Sequence, residues 1–367
     1  MMSSKLTHAF AIGLFSIAGA LTATAAIAQT RALPMFEVDP AWPKVPAKWK
    51  LGDASSIAID AQDNVWVLHR PRTLKPDQAA MAAPAIMVFD GTGNYIKSWG
   101  GAGAGYEWPE REHGIHIDHQ GFVWLGGNNC PASGNAGLKP VADDALLKFT
   151  QDGKFILQIG RSNQSKGDAD TQNVHRAADV WVYARMNEVF VADGYGNHRV
   201  IVFDADTGVF KRTWGAFGGK PAGPDNCAVI GPKTFPDAEG PPNYNVVHAI
   251  RVANDGMVYV ADRENRRLQM FTSDGKFVKQ LYMTNVSFAR DLALSPDQEQ
   301  QFLYVGGGKG IFIVDRKTLD VLGTIQVPGQ LGPGHHIATD SKGNIYIAQT
   351  AAGMQKLVFK GMAAPGK

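Results

Sequence analysis

The chain has 367 residues, of which 44% are apolar and 19% are charged, with 41 Gly and 20 Pro. This composition supports a sizeable core and excludes a disordered or collagen-like chain. Lys and Arg number 36 against 34 Asp and Glu, a net charge of +2, so the sequence lacks the basic surface typical of proteins that bind nucleic acid or anionic lipid. We therefore expect a small-molecule or peptide substrate, no nucleic-acid partner and a monomer.

The N-terminus predicts export. Lys5 precedes an uncharged run from Ala9 to Ala26, and Ala26-Ile27-Ala28 forms a small-x-small cleavage site before Gln29. An uncleaved anchor is the alternative, but glycine, serine and threonine dilute the apolar run below what a membrane span needs. We predict a signal peptide over 1–28 and one mature domain over 29–367, periplasmic or secreted, with no membrane contact after cleavage.

Two cysteines, Cys130 and Cys227, remain in the mature chain. An exported protein can oxidise them to a disulfide, and two free thiols are the alternative. Neither belongs to a C-x-x-C-H haem attachment site or to a C-x-x-C zinc pattern.

One structural unit recurs six times along the mature chain. Each unit has two strands of alternating apolar residues, then a third and fourth strand joined by an Asp-Gly type turn. The first strands read SSIAID from Ser55, HGIHID from His113, ADVWVY from Ala178, HAIRVA from His248, RDLALS from Arg290 and HHIATD from His335. Repeated four-stranded units predict an all-β, six-bladed β-propeller of antiparallel blades. The last unit lacks its outer strand, which the segment 35–51 can supply to close the ring.

We term one position in each unit the axial position. It lies two residues before the first apolar residue of the innermost strand. The six axial positions are Ser55, His113, Ala178, His248, Arg290 and His335. Histidine occupies blades two, four and six, and alternate blades of a six-fold ring lie about 120° apart around the channel. Three imidazoles that converge with a fourth position open are typical of catalytic zinc, so we predict a Zn²⁺ site at His113, His248 and His335. Independent hydrogen-bonded strand-end histidines are the alternative.

A second ring of positions follows the second strand, on the same face of the disc. It holds Arg70, Tyr195 and Arg263. We predict that these side chains are catalytic, with the arginines holding a substrate carboxylate and Tyr195 accepting a proton. Arg290 is a further candidate for substrate binding.

Other polar residues are predicted to be structural. Asp193, Asn197 and Arg199, and likewise Asp262, Asn265 and Arg267, follow a D-x(2,3)-N-x-R pattern suited to pinning the loop after the second strand. His336 follows His335 and, by strand alternation, should point away from the zinc ligands, so that it supports the site rather than binding the metal.

These stretches resemble the NHL-repeat propellers, and among them the peptidyl-α-hydroxyglycine α-amidating lyase domain of peptidylglycine α-amidating monooxygenase. The resemblance rests on HGIHID, VFVADGYGNHRVIVF, VVHAIRV with VYVADRENRRLQMF, and GHHIATDSKGNIYIA. It implies a zinc lyase that splits peptidyl-α-hydroxyglycine into a peptide amide and glyoxylate, with zinc on His113, His248 and His335 and with Tyr195, Arg70 and Arg263 at the site.

The chain also departs from this family. Its structural calcium uses an acidic side chain directly after the last zinc histidine, and His336 at that position argues against calcium. The cysteine that follows the family's tyrosine is Gly196 here, and the copper monooxygenase domain is not present in this sequence. Two alternatives remain: a non-catalytic NHL propeller that binds a peptide or protein, and a calcium-dependent hydrolase resembling the gluconolactonase propellers. The gluconolactonase propellers bind calcium through oxygen ligands, and Ser, Ala, Arg and His at the axial positions are a poor match for such a set.

Overall fold

The computed structural model describes residues 31–132, 137–225, 227, 240–283, 288–308, 310–327 and 334–363. The predicted signal peptide lies outside these ranges. Within them the chain forms six four-stranded antiparallel sheets, which confirms the predicted all-β, six-bladed propeller. Helical structure in the described part is confined to 3-10 turns at Pro71–Thr73, Pro76–Met81 and Ala216–Gly218. No helix in these ranges has the length and apolar character needed to cross a bilayer.

Five blades are continuous in sequence, and each runs from the channel outward. Blade one contains β2 (Asp53–Ile59), β3 (Val65–Arg70), β4 (Ile86–Phe89) and β5 (Tyr95–Trp99). Blade two contains β6 (Glu112–Ile117), β7 (Val123–Gly127), β8 (Ala145–Phe149) and β9 (Phe155–Gly160). Blade three contains β10 (Asp179–Tyr183), β11 (Glu188–Asp193), β12 (Arg199–Asp204) and β13 (Phe210–Trp214). Blade four contains β14 (Val247–Val252), β15 (Val258–Asp262), β16 (Arg267–Phe271) and β17 (Phe277–Tyr282). Blade five contains β18 (Ala289–Leu294), β19 (Phe302–Gly307), β20 (Gly310–Asp315) and β21 (Val321–Gln326).

Blade six joins the two ends of the chain. It contains β22 (His336–Thr339), β23 (Ile345–Gln349), β24 (Gly353–Met362) and, as its outer strand, β1 (Pro34–Val38). β1 pairs antiparallel with β24, with Glu37 opposite Val358 and Val38 opposite Leu357. The predicted closure by the N-terminal segment is therefore confirmed.

Stacking of neighbouring blades buries both faces of the inner strands. Every residue of β3, β7, β11 and β15 is buried, whereas the outer strands β5 and β17 are half-buried or exposed throughout and β9 is so except at Ile159. A blade sheet has two apolar faces because each face meets the next blade around the ring. This explains why the inner strands are buried on both faces, whereas the outer strands face solvent.

The inner ladder of each blade is irregular at the axial position. In blades one, two, four and five the register between the first and second strands shifts there, for example between Val247 and Ala249 around His248. In blades three and six the axial residue stands just before the strand. Its amide donates to the carbonyl of a second-strand residue, Ala192 or Ala348, which also pairs with the residue that follows the axial one. A β-bulge adds one residue to a strand and redirects a side chain. All six axial side chains therefore leave the normal alternation of the sheet.

Cys130, after β7, and Cys227, between β13 and β14, form a disulfide with their Cα atoms 5.7 Å apart. Of the two alternatives, the structure has the bonded one. The bond joins the β7–β8 loop within blade two to the loop that follows blade three, and it is compatible with an exported protein.

The closing strand provides a test of ring stability. The ring of Phe36 packs between two others, with its centroid 6.1 Å from that of Tyr304 and 6.0 Å from that of Phe359. The neighbouring Met35 is 44% exposed. Phe36→Ala should lower the free energy of unfolding by about 2 kcal/mol, because a half-buried aromatic ring is lost from the closure. Met35→Ala should change it by less than about 0.5 kcal/mol. Urea unfolding of both variants measures this, and equal effects would contradict the assigned closure.

Candidate active site at the channel axis

The three predicted histidine ligands are anchored in the same way. His113 Nδ1 lies 2.7 Å from the carbonyl oxygen of Ala178, His248 Nδ1 lies 2.7 Å from that of Arg290, and His335 Nδ1 lies 2.7 Å from that of Ser55. In each case the carbonyl belongs to the axial residue of the next blade. The ring therefore has a threefold pattern, in which even blades supply an imidazole and odd blades supply the carbonyl that orients it. These backbone anchors have no signature in the sequence.

The three imidazoles meet on the channel axis. Their ring centroids are 4.6 Å apart for His113 and His335, 4.9 Å for His248 and His335, and 5.0 Å for His113 and His248. One ligand nitrogen from each lies within 4.8 Å of the others. All three side chains are buried. Sequence reasoning placed these residues together correctly, and the structure adds the orientation of their rings.

The protonation of the three rings suits a metal. A carbonyl oxygen only accepts hydrogen bonds, so each Nδ1 carries the proton and each neutral ring presents a lone pair at Nε2. Burial lowers the pKa of His113, His248 and His335 well below the usual value, and neighbouring imidazoles and arginines add to the effect. Nε2 of His248 is buried without a hydrogen-bond partner. Neutral imidazoles whose second nitrogen donates to a carbonyl are the usual ligands of zinc, so these residues fit the predicted ion.

A fourth imidazole belongs to the same cluster. The ring of His336 lies 4.9 Å from that of His335 and 5.4 Å from those of His113 and His248, and its Nε2 is buried without a partner. The prediction that His336 points away from the ligands is therefore wrong. Strand alternation does not apply, because His335 stands in the irregular position before β22 and both rings turn toward the channel.

Tyr195 is connected to this cluster by hydrogen bonds. Its hydroxyl lies 3.0 Å from Nε2 of His113 and accepts a bond of 2.8 Å from Nη1 of Arg263. Because Nε2 of His113 has the lone pair, the hydroxyl donates to it. Arg263 is held in turn by Glu264, whose Oε1 accepts from Nε at 2.7 Å. Glu264 is buried and was not identified from the sequence.

Buried ion pairs fix the loops that carry Tyr195 and Arg263. Arg199 Nε donates to Asp193 Oδ2 at 2.8 Å, and Arg267 Nε donates to Asp262 Oδ2 at 2.7 Å, with all four side chains fully buried. The D-x(2,3)-N-x-R residues thus have the structural contacts predicted for them. The glycines on either side of Tyr195 are also required by space. A Cβ at Gly194 would collide with the backbone of Val247, and one at Gly196 would collide with the ring of His175.

Two more arginines stand near Tyr195. Arg70 at the end of β3 is buried, and its Nε donates to the carbonyl of Glu112 in blade two at 2.8 Å. Burial, with Arg111 as a second cause, lowers the pKa of Arg70 to about 10. Arg290 is half-buried, with its guanidinium 4.8 Å from the centre of the Phe288 ring. Burial and the nearby Arg263 lower the pKa of Arg290.

Beneath the imidazoles lies an internal ion pair. The guanidinium of Arg251 contacts Oδ2 of Asp179 and lies 3.3 Å from Oδ1 of Asp291, and all three side chains are buried. Although burial opposes it, the two carboxylates raise the pKa of Arg251. Beyond Arg251 a cavity of about 610 Å³ opens at the opposite end of the channel, lined by residues such as His116 and Trp181 and by none of the predicted site residues.

The ion pair of Arg251 affects whether calcium could bind near His336. The carboxylates that a calcium ion would use near His336 are those of Asp179 and Asp291, and the guanidinium of Arg251 already pairs with both of them. Calcium also requires six to eight oxygen ligands, whereas His336 offers nitrogen. The residues present therefore do not fit the family's calcium.

Comparison with known proteins supports the resemblance. No family model matches the chain. It is 26% identical over 347 residues to peptidyl-glycine alpha-amidating monooxygenase B of Xenopus laevis, a match that covers 86% of this chain and 35% of that protein. It is 24% identical over 242 residues to a probable peptidyl-alpha-hydroxyglycine alpha-amidating lyase of Caenorhabditis elegans, covering 62% of this chain and 57% of that protein. It is 22% identical over 335 residues to NHL repeat-containing protein 3 of Homo sapiens, covering 87% and 82%.

These matches are distant but consistent. They confirm the predicted similarity to NHL propellers of the amidating-lyase type, at low identity. The chain spans about a third of the length of the first of these relatives. Among solved structures, one described as a streptogramin B lyase superposes with a TM-score of 0.53 at 13% identity, covering 89% of this chain and 98% of that one. That likeness shows the propeller fold alone.

The internal ion pair predicts a stability effect that is independent of calcium. Arg251→Met leaves two buried carboxylates without a cation and should lower the free energy of unfolding by about 3–5 kcal/mol. Arg185→Met, at an exposed arginine, should cost less than about 0.5 kcal/mol. In the unmodified protein, neither calcium nor a calcium-selective chelator should move the thermal midpoint. A calcium-dependent increase in that midpoint would contradict the role given to Arg251.

Proposed function

We propose that this protein is an exported zinc lyase that cleaves the C–N bond of a peptidyl-α-hydroxyglycine or a related α-hydroxy amide, giving an amide and glyoxylate or a similar carbonyl product. The observation that carries the proposal is the cluster of three neutral, backbone-anchored imidazoles beside a tyrosine that is bonded to an arginine. Similarity to the amidating lyase of Caenorhabditis elegans supports the choice of reaction.

The ligand set proposed for the metal is His113, His248 and His335. Each Nδ1 is occupied by a carbonyl, so the lone pair of each ring is at Nε2, where one cation could take all three; at His113 the cation would replace the bond from the Tyr195 hydroxyl. When bound, zinc supplies Lewis acidity to a substrate hydroxyl and lowers the pKa of that hydroxyl.

The arginines divide two tasks between them. Nε of Arg263 donates to Glu264 and Nη1 donates to Tyr195, so these contacts orient the tyrosine. Arg70 makes its Nε bond to a backbone carbonyl and has no ion pair with a described carboxylate. Its forked guanidinium is suited to the carboxylate at the hydroxyglycine end of the substrate.

Tyr195 is placed to take a proton. Its hydroxyl donates to Nε2 of His113 and accepts from Nη1 of Arg263; if a cation were held at that nitrogen, the hydroxyl would be free to turn to the substrate. For Tyr195 to act as the base, its own proton passes to solvent, and its oxygen then accepts the proton of the substrate hydroxyl. The O–H electron pair becomes the second bond of the carbonyl, and the C–N pair leaves with nitrogen, which takes up a proton to form the amide.

Metal content tests the ligand assignment. The purified protein should contain about one equivalent of zinc, and His248→Ala should lose both the zinc and the release of glyoxylate from an α-hydroxyglycine substrate. His119→Ala, at an exposed histidine, should retain both. Elemental analysis with a glyoxylate assay measures the two properties. A folded, zinc-free protein with full activity would exclude the proposal.

Tyr195→Phe separates chemistry from metal binding. The variant keeps the ring but loses the hydroxyl, so kcat should fall by about 10²–10⁴-fold, with the zinc content unchanged and KM changed by less than about threefold. Steady-state kinetics and metal analysis on the same preparation provide the readouts. Unchanged kcat would show that another group accepts the proton.

A further inference from the structure

The candidate site contains more positive charge than one carboxylate needs. Arg263 is neutralised by Glu264, but neither Arg70 nor Arg290 forms an ion pair within the described part of the chain. A guanidinium that is partly removed from water and stands near another arginine is destabilised until an anion binds. The lowered pKa values of both groups follow from the same cause.

Both arginines without an acidic partner stand near Tyr195. Arg70 is bonded to the carbonyl of Glu112 in blade two, and Tyr195 is among the charges that act on it. Arg290 belongs to blade five, and the charges that act on it are those of Arg263 and Glu264 in blade four, together with Tyr195. Two guanidinium groups near Tyr195 therefore lack an acidic partner, whereas the hydroxyglycine end of the proposed substrate supplies one carboxylate.

Arg290 is also held in place as a binding group would be. It stands at the axial position of blade five, where the register shift in the inner ladder redirects the side chain. Its carbonyl is fixed by His248 and its guanidinium stacks on Phe288. Position and restricted freedom together reduce the entropy lost when an anion is bound.

We propose that Arg290 forms a second anion subsite, and that the protein selects α-hydroxyglycine derivatives whose acyl part carries its own carboxylate. This inference rests on the proposed function, because it assigns the hydroxyglycine carboxylate to Arg70. The acyl carboxylate pairs with Arg290 at the blade-four side of the pocket. The substrate class is thus a dianionic N-acyl-α-hydroxyglycine rather than one with an apolar acyl group.

Binding of unreactive analogues tests the subsite without relying on turnover. N-succinylglycine and N-butyrylglycine have acyl chains of equal length, and only the first has a second carboxylate. By calorimetry on the purified full-length protein, N-succinylglycine should bind at least about tenfold more tightly. Arg290→Gln should abolish the difference and leave the affinity for N-butyrylglycine within about twofold. Arg290→Lys should restore part of the preference.

Arg185→Gln is the matched control, since Arg185 lines the cavity at the opposite end of the channel, and it should retain the full preference. Zinc content reports whether each variant keeps the histidine cluster. Equal binding of the two analogues by the unmodified protein, or a preference that survives Arg290→Gln, would overturn the inference. Absence of glyoxylate release together with a preserved binding preference would instead count against the lyase reaction alone.

Discussion

The site depends on one local feature of the backbone, the irregular step at which each innermost strand begins. A regular strand would send adjacent side chains to opposite faces of the blade, into the stacked apolar layers. The extra residue at the axial position turns the side chain toward the channel instead. It also turns the carbonyl of the same residue toward the neighbouring blade, where it meets an imidazole in three of the six cases. One backbone irregularity, repeated around a ring, thus supplies both the ligand and its anchor.

The repeat made much of this predictable. The alternation of each unit fixes where the first strand starts, so aligning the units brought His113, His248 and His335 to equivalent positions without knowledge of any contact. Tyr195 and Arg263 were found in the same way, because they follow second strands on the same face. The alternative of unrelated strand-end histidines requires no convergence, and the 4.6–5.0 Å ring separations do not support it.

The rest could not be predicted because it depends on contacts between blades. His336 was assigned to the wrong direction, since the alternation rule fails one residue after an irregular step. Arg251 lies in the middle of a strand and looks like an ordinary polar residue, yet it pairs with carboxylates from blades three and five. Glu264 adjoins Arg263 in sequence, but nothing in the sequence shows that it is buried against the guanidinium. Such pairings are set by which side chains two neighbouring blades present to each other.

The order of charges along the channel gives its two ends a different character. Beneath the imidazoles the single positive charge of Arg251 lies between the carboxylates of Asp179 and Asp291, so this cluster offers no free cation to attract an anion. Above the imidazoles the balance is reversed, because Arg70 and Arg290 are without acidic partners among the described residues. An anionic substrate of the proposed kind would therefore be drawn to the face that carries Tyr195. The internal ion pair stabilises the centre of the disc, and the arginines without acidic partners supply the positive charge on which the proposed binding site depends.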